Sequence, residues 1–133
     1  MVRLHAELGA SGLEILAFPC NQFGNQEPQA TRDVEARIRK RYGVAFHVMA
    51  KVDVNGPNSH AVFRYLKHKT PKVPRISWNF GVYYVVGRDG YARAFPDTSP
   101  AQLSDAIRAE LWCGTGLPRE PPRRRPPREG ADP

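Results

Sequence analysis

Apolar and polar positions along this chain recur with two different periods. Residues 13–18, Leu-Glu-Ile-Leu-Ala-Phe, form a short run rich in apolar side chains that ends at Pro19, which predicts a buried strand. Phe46, Val48, Ala50, Val52 and Val54 alternate with His47, Met49, Lys51 and Asp53, which predicts a second strand over 46–54. Between them the spacing turns helical over 31–42: Val34 and Ile38 are four apart, Thr31 or Asp33 can serve at the start, and Gly43 is the stop. Asn55-Gly56-Pro57-Asn58 reads as a turn. Ser59 is then expected to cap a helix running to Lys67, with Val62, Phe63 and Leu66 on one side.

Further on, two β-rich runs at 82–86 and 91–95 flank Gly87-Arg88-Asp89-Gly90, a turn that predicts a hairpin. Ser99-Pro100 opens a last helix, with Pro in its first turn and a stripe at Leu103, Ile107 and Leu111. At the start, Val2, Leu4, Ala6 and Leu8 lie among polar residues before Gly9 and Gly12, a short helix that reads as the end of something longer. The order is a helix end, β, α, β, α, a hairpin and α. It predicts an α/β fold with a mixed sheet flanked by helices, the topology of the latter part of a thioredoxin-like fold.

Composition refines this in one respect. The last twenty residues, 114–133, hold six of the 13 prolines and five arginines against three acidic residues, so they carry two of the seven net positive charges. Such a segment cannot bury enough apolar area to offset its ordering entropy, so the expected division is a globular part at 1–113 and a disordered Pro/Arg-rich tail at 114–133. The body remains basic, which suits an anionic small molecule, an anionic surface or nucleic acid. Nucleic acid is the poorest fit, because the aromatics are not interleaved with the basic runs. No run approaches transmembrane length, and residues 1–10 lack the apolar core of a signal peptide. Two cysteines, Cys20 and Cys113, do not form a disulfide framework. A cytoplasmic monomer without membrane insertion is expected.

Candidate chemistry centres on residues 18–28, FPCNQFGNQEP, with side-chain amides at Asn21, Gln22, Asn25 and Gln26. A loop delivered by a strand and dense in groups that both donate and accept needs either water or a specific task. On composition alone it is an ordinary solvated turn. Together with KVDVNG at 51–56, WNF at 78–80 and the hairpin YVVGRDG, however, it strongly resembles the glutathione peroxidase family, in particular its small monomeric phospholipid-hydroperoxide branch. The resemblance runs from Val2 to Leu111.

The resemblance implies a thiol-dependent peroxidase reducing hydrogen peroxide or lipid hydroperoxides in the response to oxidative stress. It implies a tetrad of a reactive Cys or selenocysteine, a Gln, a Trp and an Asn; Gln26, Trp78 and Asn79 match the last three. Their N–H groups suit an attacking thiolate or selenolate and the charge on a departing oxygen. In this family the attacking residue lies in a segment of the type NVASxCGxT, which has no counterpart in these 133 residues. Aligning LHAELGASGLEILAFPCNQFG places Met1 inside the first long helix, so the nucleophile and the first strands are expected just upstream of it. Loss of those strands is expected to leave an unpaired edge and a marginal, aggregation-prone domain.

Cys20 reads as a structural residue, with an auxiliary thiol and then a nucleophile as the alternatives; Cys113 has no family role. The 31–42 helix carries no cysteine, which argues against a two-cysteine cycle and implies glutathione or another small thiol as co-substrate, with no further cofactor. Lys51 and the basic 37–41 segment attract an anionic thiol by charge alone. A solvated face is the plainer reading of that segment. The alternative from a different class is a catalytically inactive thioredoxin-like remnant acting as a binding or regulatory module.

Overall fold

Two apolar stripes at helical spacing and one hairpin account for most of the architecture. The computed structural model describes residues 1–112; Cys113 and the 114–133 tail lie outside the described residues. In chain order the elements are α1 (Val2–Leu8), a 3₁₀ turn (Gly9–Ser11), β1 (Leu16–Ala17), α2 (Thr31–Tyr42), β2 (His47–Val48), α3 (Ala61–Lys69), β3 (Val82–Val86), β4 (Ala92–Pro96) and α4 (Pro100–Trp112).

Parallel and antiparallel pairing are both present, as expected for a mixed α/β arrangement. β1 and β2 run parallel, with Leu16 opposite His47 and Ala17 opposite Val48. β3 and β4 form the antiparallel hairpin, with Tyr83 opposite Phe95 and Val85 opposite Arg93. The two ladders are separate two-stranded sheets among the described residues, so each keeps open edges.

Side chains alternate across the hairpin, and each face meets its own core. Val82, Tyr84 and Ala92 pack with Phe18, Cys20, Phe23, Val52, Val54, Phe63, Leu66 and Ile76. Tyr83, Val85 and Phe95 turn to the other side, where Leu4 and Leu8 of α1 meet Leu103 and Ile107 of α4. Helices thus cover both faces of the hairpin: α3 on one, α1 and α4 on the other.

Three expectations change. The 13–18 run is not uniformly buried: Leu13, Ile15 and Ala17 turn inward, whereas Leu16 is 54% exposed, so it alternates as a strand with one solvated face does. Regular pairing in the two predicted strands also shrinks to two residues each. Hydrogen bonds from Met49 N to Ala17 O (2.8 Å) and Val52 N to Pro19 O (3.0 Å) continue the contact irregularly, because Pro19 has no N–H to extend a ladder. Finally, α3 is capped not by Ser59 but by His60, whose side chain accepts from Val62 N at 3.3 Å. Ser59 is buried and bonded through its backbone, donating to Gly56 O and accepting from Arg64.

Candidate active site

The amide loop leaves β1 through Phe18-Pro19-Cys20 and turns back at Gly24 (φ 59°) and Asn25 (φ 51°). Two successive residues in the left-handed region make a tight reversal, which Gly and Asn tolerate at least cost. Asn21 closes the turn. Its Nδ2 donates to Asn25 Oδ1 and its Oδ1 accepts from Glu27 N at 2.9 Å. The effect is to present Gln26 at the surface.

Trp78 and Asn79 arrive on a second turn, after α3 and the 70–75 loop, closed by Gly81 N donating to Trp78 O at 3.0 Å. Asn79 Nδ2 donates to Gln26 Oε1 at 2.8 Å. The Trp78 ring lies over Gly24: a Cβ built there would sit 3.3 Å from its Cη2. The ring is also tilted against buried Phe23 at 6.0 Å between centroids. Gln26, Trp78 and Asn79, some fifty positions apart in sequence, are therefore one cluster. Trp78 stays 52% exposed and the neighbouring Phe80 82% exposed.

The Asn79–Gln26 bond uses the Gln26 oxygen, so the Gln26 amide hydrogens are not consumed by it. One Asn79 Nδ2 hydrogen is likewise left. An exposed group of N–H donors with an indole beside it suits an anion or a developing negative charge.

Cys20 is a core residue, in the same apolar cluster as Phe23. It is 5% exposed in the first core, and its sulfur contacts Gln22, accepting from Gln22 N at 3.4 Å and donating to Gln22 Oε1 at 3.7 Å. Thiols placed this way behave as small apolar side chains. Its sulfur hydrogen-bonds to Gln22 and not to Gln26, Trp78 or Asn79.

The basic residues divide. Lys51 Nζ donates to Glu27 O (2.8 Å) and Gln29 O (2.7 Å), stapling the end of the amide loop. Arg37 pairs with Glu27, whose hydrogen bond and charge raise the guanidinium pKa further. Arg39 pairs with Glu35 at 2.9 Å. Arg37 and Arg39 are thus paired with carboxylates, whereas Lys51 is bound to neutral carbonyls and keeps its charge. A cleft of about 380 Å³ beside the loop is lined by Asn21, Lys51, Val52, Asp53, Asn58 and His60; it does not contain the three-residue cluster, which is a surface feature.

A set of residues with no assigned role on sequence grounds ties the loops together. Gln22 Oε1 accepts from the backbone N of Val54 and of Asn55, both at 2.9 Å, and its Nε2 donates to Asn55 O at 2.9 Å. Asn55 in turn bonds the backbone of Ile76, and Lys67 reaches Val54 O and Asn55 Oδ1. Burial pulls the Lys67 pKa below its usual value, and the Arg75 charge adds to this. The only sequence signal for this set is that Gln22 and Asn55 lie inside the two quoted motifs.

Comparison with known proteins identifies the family. A family model described as glutathione peroxidase matches residues 1–67. The glutathione peroxidase homolog BsaA of Bacillus subtilis (strain 168) is 45% identical over 101 residues, covering 72% of this chain and 62% of that protein. A probable phospholipid hydroperoxide glutathione peroxidase of Mesembryanthemum crystallinum is 41% identical over 112 residues, covering 81% of this chain and 65% of that protein. The crystal structure of Trgpx in apo form superposes with a TM-score of 0.64 at 29% identity, over 83% of this chain and 67% of that one. The chain thus spans under two thirds of the length of the two curated relatives.

Proposed function

Because the chain belongs to the glutathione peroxidase family, we propose that it carries the supporting half of a thiol-dependent peroxidase site. In this reading Gln26, Trp78 and Asn79 are its donors. The substrates are hydrogen peroxide or lipid hydroperoxides, with glutathione or another small thiol as reductant. The observation that carries the reading is the 2.8 Å bond from Asn79 to Gln26 with Trp78 packed on Gly24: three residues matched to one family site also meet in space.

The chemistry needs an attacking thiolate or selenolate. It forms an S–O or Se–O bond to the distal peroxide oxygen while the O–O bond breaks and the other oxygen leaves as water or alcohol after taking a proton. One small thiol then condenses with the oxidised centre, releasing water and forming a mixed bond, and a second thiol displaces the first as a disulfide and restores the centre. The donors of Gln26, Trp78 and Asn79 serve the first step, where negative charge collects on the attacking and departing atoms. Cys20 is buried and its sulfur is bonded to Gln22, so the attacking atom is proposed to come from residues additional to these 133.

The transcript upstream of Met1 tests this first. An in-frame Cys or selenocysteine codon in an NVASxCGxT context supports it, and a reading frame without one sinks it. In the extended protein, Gln26→Ala, Trp78→Phe and Asn79→Ala are each expected to lower kcat/KM by about 10²-fold, the scale of losing one transition-state donor; unchanged rates would remove the proposed roles. The burial of Cys20 favours the second reading, an inactive remnant serving as a binding module. Peroxide turnover by the 133-residue chain that Cys20→Ser abolishes contradicts that reading.

A further inference from the structure

We infer that Asn55 and Lys67 are positioning residues for the Gln26–Trp78–Asn79 cluster, holding the turn that carries Trp78 against the loop that carries Gln26. The functional meaning of that placement rests on the peroxidase reading above; the placement itself does not.

Trp78 and Asn79 lie on an irregular turn with no strand or helix around them, and their own contact with Gln26 is exposed to water. Water competes for such a bond, so it cannot by itself hold two loops in register. The hold lies two residues earlier. Asn55 Nδ2 donates to Ile76 O at 2.8 Å, and Ile76 N donates to Asn55 Oδ1 at 3.1 Å. A side-chain amide thereby makes both bonds of a strand pair to one backbone residue. Ile76 is itself anchored in the first core, so the backbone entering the Trp78 turn is fixed from two sides.

Asn55 is held just as closely. Its N–H and C=O both bond the Gln22 side chain at 2.9 Å, and Gln22 lies four residues before Gln26. Lys67 Nζ donates to Asn55 Oδ1 at 2.8 Å and also to Val54 O. Two donors on one oxygen leave the Asn55 amide a single orientation, with Nδ2 aimed at Ile76 O. The hydrogen bonds therefore run Gln22–Asn55–Ile76 and join the two loops whose tips carry the cluster. Placing the Lys67 ammonium there costs desolvation, which the lowering of its pKa reflects. An ordinary solvated lysine would avoid that cost.

The test uses the ¹⁵N-labelled 133-residue chain, with Trp112→Phe assigning the two indole signals. Asn55→Ala and Lys67→Met are expected to move the Trp78 Nε1–H and Asn79 Nδ2 cross-peaks. Asn55→Asp, which still accepts from Ile76 N and Lys67 but cannot donate to Ile76 O, is expected to move them less. Ile107→Val, a destabilising change in the other core, is expected to leave them in place; a merely structural role predicts the same for all four. Stationary peaks in any folded Asn55→Ala or Lys67→Met variant overturn the inference. In the unsubstituted chain the Ile76 N–H is expected to exchange slowly with solvent, and exchange at the rate of an open amide overturns it without any variant. If the cross-peaks move but Gln26, Trp78 and Asn79 substitutions in the extended protein leave peroxide turnover unchanged, the peroxidase reading fails and the positioning relationship stands.

Discussion

Asn79 donates to Gln26 across 53 positions of sequence, at 2.8 Å, and this bond closes the two loops into one surface. It is water-exposed, so it specifies geometry more than it stabilises. A double-mutant cycle of Gln26→Ala and Asn79→Ala, followed by urea unfolding, should give a coupling near the low end of the range for a net hydrogen bond, about 0.5 kcal/mol. A coupling of zero would mean that the two side chains are not bonded in solution.

Gly24 is the tightest point beneath Trp78. Its φ of 59° is in the left-handed region and an added Cβ would press on the indole at 3.3 Å. Gly24→Ala should therefore cost about 1–2 kcal/mol from backbone strain and also shift the Trp78 emission. Full stability with unaltered fluorescence would refute the packing described.

Cys20 should behave as a core residue toward thiol reagents. In a Cys113→Ser background, alkylation of Cys20 is expected to be slow in buffer and to become fast in denaturant, because the residue is 5% exposed. Rapid labelling of the folded chain would restore Cys20 as a working thiol.

The hairpin tyrosines give a pH signature. Burial raises the Tyr83 and Tyr84 pKa values above their ordinary 10.0. Above that pH the unfolded chain loses these protons before the folded one does, so the unfolded state binds fewer protons and stability falls as pH rises. Tyr83→Phe and Tyr84→Phe should flatten the fall in urea midpoint between pH 9 and 11, which is the range bracketing an ordinary tyrosine. The Tyr84 hydroxyl is also buried without a hydrogen-bond partner among the described residues. Tyr84→Phe is thus expected to be neutral or stabilising at pH 7, and a marked loss of stability would reveal a partner for the hydroxyl.

Leu103 of α4 is 1% exposed, packed between α1 and the hairpin. Leu103→Ala should cost about 2–5 kcal/mol, enough to unfold a marginal domain. Thermal denaturation checks both points. A cooperative transition from a soluble wild-type monomer would count against the marginal stability expected from the open strand edges.

Local patterns in the sequence carried most of the architecture. Leu103 and Ile107 mark the α4 stripe, the 87–90 turn closes the hairpin, and Gly43 with φ 60° ends α2. These features depend on residues within a few positions of one another, so spacing and turn chemistry reveal them. The same holds for the motif residues Gln26, Trp78 and Asn79 as candidates. That the three act together was implied by the family resemblance alone; the Asn79–Gln26 bond itself was not legible, because it needs the hairpin, α3 and the 46–54 segment to fold the two turns together.

Tertiary context decided the rest. Thr31 could have capped α2, but its hydroxyl accepts from Lys51 N at 3.3 Å. Ser59 has the right chemistry for a cap, yet burial turns the task over to His60. Lys51 and Lys67 read alike as basic residues, yet one staples loop carbonyls and the other sits partly desolvated against Asn55. Residue type determined which side chains were able to donate, accept or pack. Which partner each one met was decided only when distant segments were brought together, because a hydrogen bond is specified by position and direction and not by composition.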